Sequence, residues 1–484
     1  MTAPSKLGKV VLRSAAAIIL LLAALLAALW LKPPDLLRIG ANYSAKIVCS
    51  NVFLAGRDPD EVLRTDVQAP GIALLRLMRI SVDRQQHVIR AGLLGFIGDG
   101  LAVDRPNTGC AVVPDGNLDF AIHVNEIAAQ TSAAAVPAMA TAADPATTAP
   151  GATMTAPGAA PAAPGAGTAP LWPEGNAITT TAALDRVLAD DTLTGAGMRA
   201  VVVVAHGRIV AERYAPGFSA ATPLLGWSMA KTVVAGLVGV LVKEGRLTLD
   251  QPAGWATPGG DGREHIRIAD LLSMSSGLRF NEGYGAVSDV TRMLYLEPDM
   301  SEFARAQPLA HPVGELWSYS SGTANILSRI VQDAGGRLGA GVAAEKIFQP
   351  LGMASAIIET DEDGTLVGSS YMYATARDWA RYAQFLLQDG VWRGQEMLPR
   401  GYVAMMASPV AASHGQYGHG LVWLWGSEPE PGIPADTFWM AGHDGQSIAI
   451  MPSRQLAVVR LGLTPASDHY QPQPLVKAVL DATK

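Results

Sequence analysis

Ser228 and Lys231 stand three residues apart in Ser228-Met229-Ala230-Lys231, at the head of an apolar stretch that runs to Lys243. On a helix this spacing puts the hydroxyl and the amine on one face, a turn apart, so the amine can take the hydroxyl proton. The lysine must then be neutral part of the time. An apolar helix supplies the desolvation that lowers a lysine pKa and so activates a serine nucleophile. The tetrapeptide alone is equally an ordinary helix start, but a lysine in such surroundings needs a partner or a purpose. A rival reading takes Gly226-Trp227-Ser228-Met229-Ala230 as a nucleophile elbow with His443 as its base. An elbow needs a hydrophobic strand before the serine, whereas Ala221-Thr222-Pro223-Leu224-Leu225 is short and holds a proline, and Lys231 would go unexplained. The nine histidines show no metal-binding spacing and no nucleotide loop is present, so neither metal nor cofactor is expected.

Further motifs follow in order: Leu271-Leu272-Ser273-Met274-Ser275-Ser276-Gly277-Leu278, Pro312-Val313-Gly314-Glu315-Leu316-Trp317-Ser318-Tyr319-Ser320-Ser321, and Gly442-His443-Asp444-Gly445-Gln446. With Ser-Met-Ala-Lys they resemble the serine β-lactamase and penicillin-recognising superfamily, over about residues 200–462, in its class C, esterase and 6-aminohexanoate-dimer hydrolase branch. Gly368-Ser369-Ser370-Tyr371-Met372-Tyr373 is most similar to the nylon-oligomer hydrolase side. The resemblance implies a catalytic Ser228, Lys231 and Tyr319, the phenol shuttling a proton to the leaving group with its ionised form favoured by the lysine ammonium. Ser321 takes the place of the family's Tyr-x-Asn asparagine. The backbone N–H groups of Ser228 and Gln446 would form the oxyanion hole. His443 and Gly445 fall where β-lactamases carry Lys-Thr-Gly, so a permanent cation gives way to an imidazole. Tyr284 lies where related amide hydrolases present a substrate-contacting tyrosine, and is also open to simple loop packing. Glu282 and Asp289 read as solvated loop charges. The implied activity is hydrolysis of a small linear amide or ester. The alternatives are a β-lactamase, a peptidase acting on cell-wall peptides, or a catalytically silent penicillin-recognising sensor.

These residues need a scaffold. Ala200–Ala205 and Ile209–Tyr214 predict a hairpin, Ser447–Met451 and Leu456–Leu461 two more strands, Ser228–Lys243 a buried helix ending near Gly245, and Thr375-Ala376-Arg377-Asp378 a capped helix start. Strands at both ends around helices predict an α+β class with a mainly antiparallel sheet. The resemblance adds the β-lactamase/transpeptidase-like fold, the sheet flanked by helices beside a mainly helical subdomain. The partition expected is 1–40 as an export segment, 41–128 as a small module or an embellishment of the main domain, 129–170 as a linker of Ala, Pro, Thr and Gly, and 171–484 as the hydrolase domain.

In the export segment, Lys6, Lys9 and Arg13 precede an apolar run from Ala15 to Leu31. Its length lies between a signal-peptide core and a membrane span. With no small-x-small cleavage pattern after it, an uncleaved inner-membrane anchor is favoured over a signal peptide cleaved on secretion. Either way the catalytic part lies outside the cytoplasm, in the periplasm or beyond. Cys49 and Cys110 are the two cysteines, an even number suited to one bridge in an oxidising compartment. A net charge of -7 with no block of like charges excludes nucleic acid as a partner.

Overall fold

The computed structural model describes residues 6–124, 172, 175, 178–255, 260–336, 341–425 and 431–483. The linker expected at 129–170 lies outside them. Helix α1 (Lys6–Leu31) is rich in Ala and Leu, the strongest helix formers. Its segment Ser14–Leu31 has a mean hydropathy of 2.6 and is uncovered by the rest of the chain, so it is long and apolar enough to cross a membrane. Pro33 and Pro34 end it. Helix α2 (Asp35–Phe53) starts at once, with Asp35 in its first turn where a negative charge complements the helix dipole.

Helix α2 is buried along most of its length against an antiparallel sheet of β1 (Met78–Asp83), β2 (Val88–Leu93), β3 (Ile97–Arg105) and β4 (Gly109–Val112), in that order. A Cβ at Gly100 would come within 2.4 Å of the Ala41 carbonyl, so only glycine lets β3 close on the helix. Cys49 on α2 and Cys110 on β4 form a disulfide.

This N-terminal unit shares one hydrophobic core with the rest of the chain and is pinned to it by buried polar groups. Asn42 donates to the Tyr295 carbonyl at 2.7 Å and accepts from the Leu101 amide at 3.0 Å. Lys46 pairs with Glu359, whose carboxylate also accepts from Ser50 Oγ at 3.0 Å and the Cys110 amide at 2.7 Å. Burial lowers the Lys46 pKa and raises that of Glu359, and each charge is the other's main compensation.

The central sheet is antiparallel with seven strands. Its hairpin of β5 (Met198–Ala205) and β6 (Arg208–Tyr214) turns through His206 and Gly207, both at positive φ, as a two-residue turn requires. Ala200, Val202 and Val204 face the main core, while Val201 and Val203 face a second core beneath the C-terminal helix, so the strand has no polar face. A small sheet of β7 (Leu224–Leu225), β8 (Ile357–Ile358) and β9 (Met372–Ala374) stands at one end, in the order β7-β9-β8. Between the first and last strands run α3 (Met229–Lys243), α4 (Asp289–Leu296), α5 (Ser321–Gly335) and α6 (Ala376–Leu387). Gly245, at φ 70°, follows the last turn of α3, and Thr375 caps α6 by accepting from the Asp378 amide. The chain closes the large sheet with β10 (Tyr417–Gly418), β11 (Val422–Trp423), β12 (Phe438–Gly442), β13 (Gln446–Met451) and β14 (Leu456–Gly462), ordered β10-β11-β12-β13-β14-β5-β6. The class is α+β.

Candidate active site

Ser228 is the residue before α3, partly open to solvent. The chain reaches it under constraint. Gly226 donates to the Met372 carbonyl on β9 at 2.9 Å, and Trp227 takes a left-handed conformation at φ 48°, which a bulky side chain rarely adopts. On the other side β12 closes in, and a Cβ at Gly442 would lie 2.2 Å from the Gly226 carbonyl oxygen. Strand end and helix start are thereby locked at a fixed separation.

Lys231 is 1% exposed, one turn into α3. Its Nζ lies 3.0 Å from Ser228 Oγ, 3.1 Å from Ser321 Oγ and 2.8 Å from the Ser369 carbonyl oxygen. Ser321 Oγ donates to Glu282 Oε1 at 2.5 Å, so towards the lysine it can only accept, as can the Ser369 carbonyl. A neutral amine has two N–H bonds and one lone pair. Those two acceptors take the hydrogens, and the lone pair is left aimed at the Ser228 hydroxyl. Burial lowers the Lys231 pKa to about 8, with the Glu282 carboxylate opposing it.

Glu282, read from sequence as a solvated charge, belongs to this network. Its Oε2 accepts from the Ser321 amide at 2.8 Å, at the positive N-terminal end of α5. The sequence offered little to find it, because a lone carboxylate in a Gly-rich loop looks the same wherever it points. Asp289 serves the same loop, accepting from the Asn281 amide at 2.8 Å. Ser369 was missed because it contributes a backbone atom, which residue type does not reveal.

Tyr319 lies over Lys231, the amine 4.9 Å from the ring centroid. Its ring stacks on Trp423 at 5.4 Å and meets Tyr417 edge-on at 6.0 Å, so the short strands β10 and β11 set its orientation. The expectation of an ionised phenol is corrected. Burial raises the Tyr319 pKa far above the usual phenol value, the Glu282 charge adds to this, and a hydrogen bond with Ser228 opposes it. The phenol keeps its proton and Lys231 is the group that titrates in the neutral range.

The β12–β13 turn brings His443, Asp444, Gly445 and Gln446 to the same edge. Asp444 is left-handed at φ 58° and Gly445 at φ 78°. Buried Arg460 holds this turn from below, donating to the Gly445 carbonyl at 2.9 Å and to those of Thr194 and Ala196. The Gln446 side chain is spent on the Gly462 backbone, which leaves its own backbone as the part that can face the site. His443 is stacked on Tyr284 at 5.2 Å and meets Trp227 edge-on at 5.8 Å. Its Nε2 lies 3.3 Å from Asp444 Oδ1. Tyr284 is partly exposed, and its hydroxyl donates to Glu282 Oε1 at 3.3 Å. Ser228, Lys231, Tyr319 and Ser321 thus form one cluster, with His443, Gly445, Gln446 and Tyr284 on its rim.

The family model described as Beta-lactamase matches residues 191–471, more than half of the chain. The chain belongs to the β-lactamase family. Among relatives of this family it is 26% identical over 218 residues to the 6-aminohexanoate-dimer hydrolase of Paenarthrobacter ureafaciens, covering 42% of this chain and 55% of that one. The chain therefore spans about half the length of that relative. The β-lactamase-like fold recurs in a structure from Bacillus anthracis described as a candidate 6-aminohexanoate-dimer hydrolase. It has a TM-score of 0.54 and 21% identity, over 65% of this chain and 89% of that one. A penicillin-binding protein homologue from Caulobacter crescentus shares the fold at a TM-score of 0.50 and 17% identity, covering 63% and 99%. The fold is the β-lactamase/transpeptidase-like one that the motifs imply.

Proposed function

We propose that this protein is a serine hydrolase that cleaves linear amides or esters through an acyl-enzyme on Ser228. The observation that carries the reading is the buried Lys231 Nζ, held 3.0 Å from the Ser228 hydroxyl in surroundings that lower its pKa to about 8. Neutral Lys231 takes the hydroxyl proton as Oγ bonds to the substrate carbonyl carbon. The charge that develops on the carbonyl oxygen meets the amides of Ser228 and Gln446. As the tetrahedral intermediate collapses, the bond to the leaving nitrogen or oxygen breaks. Tyr319 gives that atom a proton and is reprotonated from the Lys231 ammonium. Water then attacks the acyl-enzyme by the reverse proton path, releasing the acid and restoring Ser228.

Glu282 is a positioning residue that fixes Ser321 and through it Lys231. His443 stands where a cation would anchor a β-lactam carboxylate, and it lies against Tyr284 and Asp444, which favours linear substrates over β-lactams. The name of the Paenarthrobacter relative supports an amide of the 6-aminohexanoate-dimer kind. Helix α1 serves as an uncleaved anchor that keeps the hydrolase outside the cytoplasm.

The test compares p-nitrophenyl butyrate, a linear 6-aminohexanoate dimer and a chromogenic cephalosporin on the full-length chain. A truncated chain starting at residue 171 is unsuitable, because it would strand Glu359 and strip away the part of the core that the N-terminal unit supplies. Esters are expected to react fastest, since an alkoxide asks less of the Tyr319 proton than an amine does. A far higher specificity constant for the cephalosporin, with linear substrates inert, would replace this reading by that of a β-lactamase.

A further inference from the structure

Beside the catalytic cluster lies a cavity of about 200 Å³ that the reaction above does not use. One wall is Ile39, Leu74 and Leu75 of the N-terminal unit, and the other is Trp227, Tyr284 and Ala286, with His443 at the junction. Polar side chains on its walls are already engaged. Tyr43 donates to the Asp66 carbonyl, Thr291 closes the capping box of α4 with Ser288, and Asp444 faces His443. Apart from the His443 ring at the junction, the walls are mainly Leu, Ile, Ala, Gly and aromatic residues, so the space suits a hydrocarbon chain.

We infer that this cavity takes an aliphatic chain of the substrate, making the enzyme selective for medium-chain amides or esters that reach it from the membrane surface. The inference rests on the proposed hydrolase reading and specifies its substrate class. Trp227 precedes the nucleophile directly, and Tyr284 joins the Glu282–Ser321–Lys231 network, so the cavity is walled by residues that adjoin the reacting centre. At the mouth, Leu36 and Ile72 are exposed. Leu36 follows the end of the apolar helix at Leu31 by five residues, which even fully extended span no more than about 18 Å. An anchored α1 therefore holds the mouth against the lipid surface, where molecules with aliphatic chains are concentrated.

The test uses the full-length chain in phosphatidylcholine nanodiscs with two ester series from two to eight carbons, one lengthening the acyl chain of p-nitrophenyl esters and one the alcohol of n-alkyl acetates. In at least one series kcat/KM is expected to rise about tenfold or more from the shortest member to the longest, as methylenes leave water. Ala286→Phe and Leu74→Trp, which fill the cavity from opposite walls, should each reduce the long-to-short ratio towards one. That ratio within each variant controls for any loss of folded protein. Hydrolysis of short esters with flat profiles in both series overturns the chain pocket and leaves the hydrolase reading standing. A rise that persists in both variants also overturns it, by putting the chain elsewhere. Failure to hydrolyse any ester overturns the hydrolase reading and this inference together.

Discussion

In the proposed mechanism Lys231 is a buried amine kept for chemistry at the expense of stability. Its folded pKa of about 8 lies below the ordinary 10.5, so folding expels a proton between those values. The stability penalty is therefore full below pH 8 and fades as pH rises towards 10.5, amounting to about 3 kcal/mol at neutral pH. Lys231→Met should abolish turnover yet raise stability at pH 7 by about 1–2 kcal/mol, the lost hydrogen bonds to Ser321 and Ser369 offsetting part of the gain. Denaturant unfolding checks it, and a large loss of stability would show that the lysine is structural. For wild type, the ester hydrolysis rate should climb about tenfold between pH 7 and pH 9 as the amine deprotonates. In Glu282→Gln the charge that raises the Lys231 pKa is gone, so the limb should move to lower pH. A profile that stays in place would separate Glu282 from the lysine.

The elements act mainly as clamps, each carrying a residue to a place its own sequence does not announce. Helix α3 and strands β5, β6, β13 and β14 were legible because their periodicity and β-branched runs reflect local burial. Three of the motifs were legible because Ser228 and Lys231, Tyr319, and His443 stand in fixed order along the chain. Glu282, the Ser369 carbonyl and Arg460 were not, since their roles come from contacts across 39, 138 and 15 residues of chain. The packing of α2 against the hydrolase part was equally hidden. Short apolar runs in residues 41–128 do not say what they face, and the Lys46–Glu359 pair joins residues 313 apart. Glu359→Gln should destabilise the chain by about 3–5 kcal/mol by leaving Lys46 charged and unpaired, whereas a double replacement of Lys46 and Glu359 by Met should cost less. A double variant that loses the sum of the two single replacements, read from denaturant midpoints, would deny that the pair is coupled.

At the scale of the whole molecule, an apolar N-terminal helix leads into a disulfide-bridged unit that shares one hydrophobic core with the β-lactamase-family domain. The anchored arrangement predicts that the full chain stays with the membrane in alkaline carbonate, and release into the soluble fraction would favour a cleaved signal peptide. The account stands or falls on the nucleophile, which a fluorophosphonate probe followed by mass spectrometry of the labelled peptide identifies directly. The adduct should sit on Ser228 in Ser-Met-Ala-Lys, vanish in Ser228→Ala and form more slowly in Lys231→Met, because Oγ is activated by that amine. An adduct on another serine, with Ser228→Ala labelling as fast as wild type, would contradict it.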